Sequence, residues 1–285
     1  LQVFDDLVLA NTDYVGLITG GVYTHQTYNM GMVDASNHVN FYDGRIRVTD
    51  PEGAEHAKYD AVDYRDYVAE RVEPWSYLKF PYLKQVGWSG ITDGEESGVF
   101  RVNALARLNV ADGIATPGAQ QAYEEFFSFF GAKPVHHTLG FNWARLVELL
   151  FACEEVQRLA NDPEITGTDI RVLPSERPRE GVGAVEAARG TLYHHYETNA
   201  EGIVKKVNLI VATAQNNAGM CMSVKKAAQT FIRGGEVSDG ILDRVEMAFR
   251  AYDPCLACAT HTLPGQMPLR LRIHRTDGSV ETVGR

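Results

Sequence analysis

The chain has 285 residues, 45% of them apolar and 22% charged, which predicts a globular protein with a sizeable core in one large domain or two smaller ones. Its formal charge of -10 argues against nucleic acid as a partner, because a phosphate-binding surface needs an excess of Lys and Arg. No stretch approaches the ~20 apolar residues of a membrane span, and the first residues lack a signal-peptide pattern. With four sparse cysteines, these features favour a cytoplasmic protein.

The first third of the chain has strand patterns. Val39 and Phe41 lead into a Tyr-Asp-Gly-Arg turn, and the apolar Ile46 and Val48 alternate with polar residues after it, as in a half-buried hairpin. We therefore expect residues 1 to 115 to be mostly sheet and loop.

Helical patterns follow from about residue 118. Residues 141 to 160 carry apolar side chains on two faces, which predicts a largely buried helix that stops near Pro163, since proline lacks the backbone donor. A strand pair is predicted over residues 191 to 197 and 203 to 212. A last helix is predicted to begin after Ser238 and to end at Pro254. The fold class is thus α+β, with buried helices and small antiparallel sheets.

Cys255, Cys258 and His261 form a C-x-x-C-x-x-H motif close to the C-terminus. Thiolates select zinc, copper(I), iron or nickel over magnesium and calcium. By spacing alone, the motif fits half of a structural zinc site, a thioredoxin-like redox pair or cysteines of the core. Cys153 lies in the buried helix pattern and Cys221 between two methionines, so both are predicted to be buried, inert thiols.

Four segments resemble one family. Residues 253 to 261, Asp-Pro-Cys-Leu-Ala-Cys-Ala-Thr-His, are similar to the C-terminal signature of the large subunit of nickel-iron hydrogenases, in particular the cytoplasmic, methanogen-type branch, whether heterodisulfide-reductase-linked or deazaflavin-type. Val102-Asn-Ala-Leu-Ala-Arg-Leu-Asn, Glu186-Ala-Ala-Arg-Gly-Thr-Leu-Tyr and Asn208-Leu-Ile-Val-Ala-Thr resemble further segments of that large subunit. The expected function is the reversible, heterolytic oxidation of dihydrogen.

The resemblance implies a centre in which four cysteinates hold nickel, two of them bridging to an iron that carries carbon monoxide and cyanide. Cys255 would be a terminal nickel ligand and Cys258 a bridge to iron. His261 would bind a magnesium or iron ion near the C-terminus. Thr213 would donate a hydrogen bond to a cyanide nitrogen, because cyanide in a dry pocket needs a donor.

The resemblance also places Arg189 over the open metal position, with Asp253 close by. Because a guanidinium stays protonated, we expect the Cys255 thiolate to accept the proton and Arg189 to act electrostatically. The alternative for Arg189 is a structural salt bridge to Glu186 or Glu197.

Departures from the family pattern lie in both halves of the chain. Ala188 stands where the family usually has proline, and Asn103-Ala104 replaces Gly-Pro. The family's second C-x-x-C and its N-terminal glutamate, the proton exit, have no counterpart, since residues 1 to 150 contain no cysteine. The chain is therefore expected to be either the C-terminal portion of a longer large subunit or a decayed paralogue, and the leucine start favours the portion.

Residues 1 to 261 would belong to the large subunit proper. Residues 262 to 285 would be the maturation peptide that an endopeptidase removes once nickel is bound, and their pattern predicts a small hairpin; the alternative is a permanent edge hairpin.

Electrons leaving the centre need iron-sulfur clusters, which usually take four thiolates each, so we expect a cluster-bearing small subunit, together with electron-acceptor subunits, as partners. The chain alone is expected to be inactive. The competing interpretation is a non-catalytic structural or interaction subunit that keeps the hydrogenase fold.

Overall fold

The computed structural model describes residues 1–173, 175–177, 179–235, 238–260 and 270–284. The α-helices of these ranges are α1 Gln2–Phe4, α2 Thr12–Thr19, α3 Tyr64–Tyr67, α4 Ala104–Val110, α5 Pro117–Phe130, α6 Gly140–Ala160, α7 Ala212–Gln215, α8 Asn217–Phe231, α9 Asp239–Arg250 and α10 Leu256–Thr260. The strands are β1 Tyr28–Val33, β2 Arg45–Thr49, β3 Glu55–Tyr59, β4 Val68–Arg71, β5 Phe80–Leu83, β6 Phe100–Arg101, β7 Glu180–Ala187, β8 Gly190–Thr198, β9 Val204–Ile210, β10 Arg270–His274 and β11 Val280–Gly284. The mixture of helices and small sheets confirms the predicted α+β class.

The N-terminal sheet has the order β3-β2-β1-β6, with β6 parallel to β1 and the other pairs antiparallel. Ile46 and Val48 are buried as predicted, but the predicted hairpin is wrong, because β2 pairs with β1 and not with residues 39 to 41. The Asn40 side chain accepts hydrogen bonds from the amides of Tyr42 and Asp43. Such local side-chain bonds favour a turn over a strand ladder.

The first residues are helical, which corrects the expectation of sheet and loop there. Asn11 caps α2 by accepting hydrogen bonds from the amides of Asp13 and Tyr14. Phe4 and Leu17 of this segment pack against the main apolar cluster. This packing gives the short helices the tertiary contacts that elements of their length need in order to persist.

The helix α6 is only half buried. Trp143 and Val147 lie in the core as predicted, whereas Leu149, Val156 and Leu159 are exposed, so the expectation of a largely buried helix is wrong for its second face and its last turns. The helix does end at Asn161, ahead of Pro163, as predicted. No helix within the described ranges combines the length and the apolar composition that crossing a bilayer requires.

The second sheet has the order β7-β8-β9, all antiparallel. The predicted pair over residues 191 to 197 and 203 to 212 is confirmed, while β7 is a strand that the sequence analysis did not predict. Strand β8 is central, and its Tyr193 is completely buried. The tight connection from β7 to β8 consists of Ala188 and Arg189, since Ala187 pairs with Gly190.

Helix α4 forms the centre of the molecule, because all seven of its residues are buried. It packs on β1 and on α6. Helix α9 begins after Ser238 as predicted but ends at Arg250, before Pro254 is reached. The earlier end follows from the backbone at Asp253, whose φ of 50° is incompatible with a continuing right-handed helix. Strands β10 and β11 form the predicted C-terminal hairpin.

Candidate metal centre

The turn between β7 and β8 presents Arg189. Gly190 follows it with φ at 126°, and a Cβ atom there would lie 2.4 Å from Cγ2 of Val102 and 2.8 Å from the backbone nitrogen of Asn103. Only glycine has both the conformational freedom and the absent side chain for this close approach. The turn is thus pressed against the backbone at the start of α4.

Arg189 and Asp253 meet directly. The Nε atom of Arg189 lies 3.1 Å from Oδ2 of Asp253 and donates to the Asp253 carbonyl oxygen at 2.7 Å. Both side chains are half exposed, at 42% and 49%. The expectation that Asp253 lies close to Arg189 is therefore met by the geometry, and the pair is accessible to solvent.

The two carboxylates considered as alternative partners of Arg189 are engaged elsewhere. Glu186 pairs with the buried Arg107, Nη1 to Oε2, at 2.8 Å. Glu197 pairs with Arg65 at 3.2 Å and with Lys206 at 3.0 Å. The alternative of a salt bridge from Arg189 to either glutamate is wrong.

Cys255 lies two residues after Asp253 and immediately before α10, and Cys258 lies within α10. Their Cα atoms are 5.3 Å apart and their sulfur atoms are joined as a disulfide. The amide of Cys255 donates to the Thr213 hydroxyl at 3.1 Å. Thr213 is itself buried on α7, so this bond ties the first cysteine to the interior.

The Thr213 hydroxyl has one proton to donate and two lone pairs. Among the described residues the structure gives it no acceptor, while one lone pair receives the Cys255 amide. A hydroxyl in this condition can donate to a group bound beside the cysteines. His261 lies outside the described residues, so its predicted role as a ligand stays a prediction.

The other cysteines lie apart from this cluster. Cys153 is exposed on α6, which contradicts its prediction as a buried thiol; it falls on the helix face that turns to solvent. Cys221 is partly buried and packs against a small cluster with Phe80 and Val99, and burial raises the pKa of its thiol. Within the described residues, the cluster at α10 therefore offers two sulfur atoms, those of Cys255 and Cys258.

A buried ion-pair network lies next to the turn that carries Arg189. The guanidinium of Arg107 is fully buried and contacts Glu148 at 2.6 Å and Glu186 at 2.8 Å. Burial alone would lower the pKa of Arg107, but the two carboxylates raise this pKa above its ordinary value. The guanidinium therefore stays charged. The partners are 41 and 79 positions away in the chain. Arg107 lies in one of the family-like segments, but linear spacing carried no signal of these contacts.

The described residues contain a second group of potential metal ligands, Glu180, His195 and Glu197, whose ligand atoms lie within 4.8 Å of one another. The guanidinium of Arg65 lies among them, 3.0 Å from Nδ1 of His195, 3.2 Å from the Glu197 carboxylate and 3.6 Å from the Glu180 carboxylate. A cation is thus already in place, and the group is an ion-pair network.

Comparison with known proteins decides the family. A family model described as nickel-dependent hydrogenase matches residues 12–261. The chain belongs to the nickel-dependent hydrogenase family.

Two curated relatives of this hydrogenase chain illustrate the match. It is 46% identical over 281 residues to an iron-sulfur subunit of the F420-non-reducing hydrogenase of Archaeoglobus profundus, covering 98% of the chain and 58% of that protein. It is 41% identical over 253 residues to the beta subunit of the NAD-reducing hydrogenase of Cupriavidus necator, covering 88% of the chain and 50% of that protein. The chain spans roughly half the length of the curated relatives that it matches.

Solved structures agree. An NAD+-reducing [NiFe]-hydrogenase in its H2-reduced state superposes with a TM-score of 0.81 at 37% identity, over 91% of this chain and 55% of that one. A [NiFeSe]-hydrogenase from Dm. baculatum shares the fold with a TM-score of 0.55 at 18% identity, over 87% of this chain and 55% of that one. The fold of the hydrogenase family is thus present across most of the described residues.

Proposed function

We propose that this chain forms part of the catalytic large subunit of a nickel-iron hydrogenase, which oxidises dihydrogen reversibly to protons and electrons. The observation that carries the proposal is the assembly of Cys255, Cys258, Thr213 and the Arg189–Asp253 pair at one place, from three separate parts of the chain. A zinc site or a plain redox pair would need neither the arginine nor the buried hydroxyl.

The donor set fits half of such a centre. Cys255 and Cys258 would hold the metals once their disulfide is reduced to thiolates, and two further thiolates would come from polypeptide outside residues 1 to 285, since Cys153 and Cys221 lie elsewhere. When bound, the nickel-iron group supplies the redox and Lewis-acid chemistry for splitting dihydrogen, and its iron would carry carbon monoxide and cyanide. His261 would hold a magnesium or iron ion. The chain alone is then inactive.

The protein's own groups have distinct tasks in this proposal. Thr213 keeps its hydroxyl proton available and would donate it in a hydrogen bond to a cyanide nitrogen. Arg189 stays protonated and, held by Asp253, orients and polarises what enters beside the cysteines. The Cys255 thiolate accepts the proton, because a guanidinium cannot.

Partners follow from the same chemistry. Four cysteines cannot hold both the centre and iron-sulfur clusters, so electrons would pass to a cluster-bearing small subunit, then to an acceptor subunit. The complex would be cytoplasmic and of the heterodisulfide-linked or nicotinamide-linked type, and the name NAD-reducing of one relative supports the second of these. A maturation endopeptidase would remove residues 262 to 285.

The deciding experiment is infrared spectroscopy with metal analysis on the large subunit containing this chain, purified from its host with its partners. We expect bands of metal-bound carbon monoxide and cyanide and about one nickel per chain. Cys258→Ser should abolish both, whereas Cys153→Ser, which changes an exposed cysteine away from the cluster, should keep both. Stoichiometric zinc without such bands would contradict the proposal.

The tail provides a second test. Mass spectrometry of protein from nickel-replete cells should show a chain that ends at His261, and protein from nickel-starved cells should retain Arg285. Cys258→Ala should also retain the tail, because the endopeptidase would not meet a nickel-loaded substrate, and Cys153→Ala should be processed normally. An intact tail on active, nickel-loaded enzyme would overturn the assigned cleavage.

One observation favours the second candidate, a non-catalytic interaction subunit. The side chains of Arg189 and Asp253 are half exposed and the cysteines are joined, so nothing in their burial compels a metal. A native complex that contains this chain without nickel would establish that candidate.

A further inference from the structure

Both members of the Arg189–Asp253 pair lie on backbone that is held by one helix. The carbonyl oxygens of Ala187 and Ala188, just before Arg189, each accept a hydrogen bond from Arg107 at 3.0 Å. The carbonyl oxygen of Tyr252, just before Asp253, accepts a hydrogen bond from the side-chain Nδ2 of Asn103 at 2.8 Å. Asn103 is the N-cap residue of α4 and Arg107 lies within the helix, so both hydrogen-bonding side chains belong to α4 and its cap.

The Arg107 arm cannot rotate freely. Its five N–H groups all have acceptors: Nε and Nη2 bind the two oxygens of Glu148, Nη1 binds Glu186, and the remaining two donate to the carbonyls of Ala187 and Ala188. Glu186 is held in turn by the Met32 amide and the Thr191 hydroxyl. Displacing the guanidinium would leave buried carboxylates unpaired, which is strongly unfavourable.

The Asn103 arm is equally constrained. Its side chain is completely buried, and Oδ1 accepts from the Ala104 amide at 2.6 Å, which directs Nδ2 towards the Tyr252 carbonyl. The residue adopts φ of 92°, a conformation that costs a non-glycine residue stability. Glycine would relieve this strain but would lose the hydrogen bond to Tyr252. The strain is thus coupled to a contact next to Asp253.

We infer that Asn103 and Arg107 are positioning residues for the hydrogenase reaction: together they form a clamp on α4 that sets the distance between Arg189 and Asp253 beside the cysteine pair. The inference rests on the proposed function.

The first test needs no metal. Hydrogen exchange of the full 285-residue chain is compared for wild type, Asn103→Gly and Asn109→Ala. The amides of Asp253 and Cys255 are bonded to the Arg250 carbonyl and to Thr213, so their exchange reports opening of this segment. In Asn103→Gly we expect both to exchange roughly tenfold faster, because one hydrogen bond that holds the segment is lost.

Asn109 is the matched control on the same buried helix. Its side chain binds Val135 and Asn29, away from the cysteines. Asn109→Ala should speed exchange at the Val135 amide and leave Asp253 and Cys255 unchanged, the reverse of Asn103→Gly. Equal acceleration at all three amides in both variants would show a loss of stability without a clamp and would overturn the inference.

The second test uses the nickel-loaded complex and separates positioning from folding. Hydrogen oxidation is expressed per bound nickel, so that a smaller yield of folded protein does not count. Asn103→Gly should lower turnover per nickel about tenfold, as one misplaced group does, and Asn109→Ala should leave it at the wild-type value. Arg107→Lys, which offers three donors in place of five, should show the same loss and faster exchange in residues 186 to 191.

The two hypotheses fail separately. A wild-type complex without nickel or hydrogen oxidation would contradict the proposed function, while the exchange experiment would still decide whether α4 clamps the two segments. Unchanged turnover per nickel and unchanged exchange at Asp253 in Asn103→Gly would contradict the clamp, whatever the enzyme's reaction.

Discussion

At the scale of single residues, two arginines illustrate opposite uses of one side chain. Arg107 is fully buried, with two carboxylates and two carbonyls around it. Arg189 is 42% exposed and has the carboxylate and carbonyl of Asp253 as acceptors. The first is a fixed internal support, and the second is accessible to solvent, as the proposed electrostatic role of Arg189 requires.

Removing the buried guanidinium should cost much more stability than removing an exposed one. Arg107→Met should lower the free energy of unfolding by about 3–5 kcal/mol, because two buried carboxylates lose their partner. Arg158→Met removes a solvent-exposed pair with Glu155 and should have little effect on the free energy of unfolding, because water screens such a pair. Urea denaturation of both variants measures the difference, and equal losses would contradict the role of burial.

The exposed arginine should matter for turnover and not for folding. Arg189→Lys should reduce hydrogen oxidation per nickel roughly 100-fold, as the loss of one oriented electrostatic donor does, with nickel content unchanged. Arg250→Lys, in an exposed pair with Glu246, is the control and should retain full turnover. A loss of nickel in Arg189→Lys would instead assign the residue to assembly of the centre.

At the scale of elements, the β7–β8 hairpin combines a restricted backbone conformation at its turn with close packing of that turn against the residues before α4. Ala187 pairs with Gly190, so the connection is two residues long and Arg189 has little freedom in its backbone. The hairpin is stabilised on one side by Arg107 and on the other by the contact of Gly190 with Val102. The turn is thus held in a fixed position relative to α4.

A methyl group at this turn should therefore be poorly tolerated. Gly190→Ala should lower the free energy of unfolding by at least about 2 kcal/mol, through the positive φ and the clash with Val102. Gly183→Ala is the matched substitution in the same hairpin; a Cβ there meets no atom within 4 Å, and the change should be within about 0.5 kcal/mol of neutral or stabilising. Thermal unfolding with matched denaturant titrations compares the two.

At the scale of the whole molecule, a buried cationic centre joins distant segments. Arg101 donates to the Thr27 hydroxyl, to the His25 carbonyl and to Nδ1 of His136. Burial, together with the charge of Arg101, lowers the pKa of both His25 and His136 to about 4. Both imidazoles are therefore neutral in the folded protein at pH 7.

This centre makes stability sensitive to mild acid. In the unfolded chain, His25 and His136 bind protons once the pH falls below the ordinary pKa of 6.5. In the folded chain, the same two side chains stay neutral until the pH falls to about 4. The free energy of unfolding should therefore fall as the pH drops from 6.5 to 4, by an amount on the order of 3 kcal/mol for each histidine. His136→Gln should lessen the slope in a series of urea titrations, and an unchanged slope would contradict the assignment.

The sequence by itself determined the family, through its cysteine motif, and those secondary-structure elements that depend on neighbouring residues. The C-x-x-C motif and the family-like segments identified the hydrogenase family, which the family match confirms. Strands β8 and β9, helix α9 and the end of α6 followed from alternation, helical spacing and proline, because each depends on neighbours within a few residues. The meeting of Arg189 with Asp253 was expected from the family resemblance.

Only the tertiary structure decided what depends on distant partners. It exposed Cys153 by orienting one face of α6 to solvent, and it paired β2 with the fully buried β1 and not with residues 39 to 41. It also brought Glu148 and Glu186 to Arg107 and Tyr252 to Asn103. Hydrogen bonds between residues far apart in the sequence, and the burial that accompanies them, form only when the chain folds and brings these residues together. No local sequence pattern therefore predicts them.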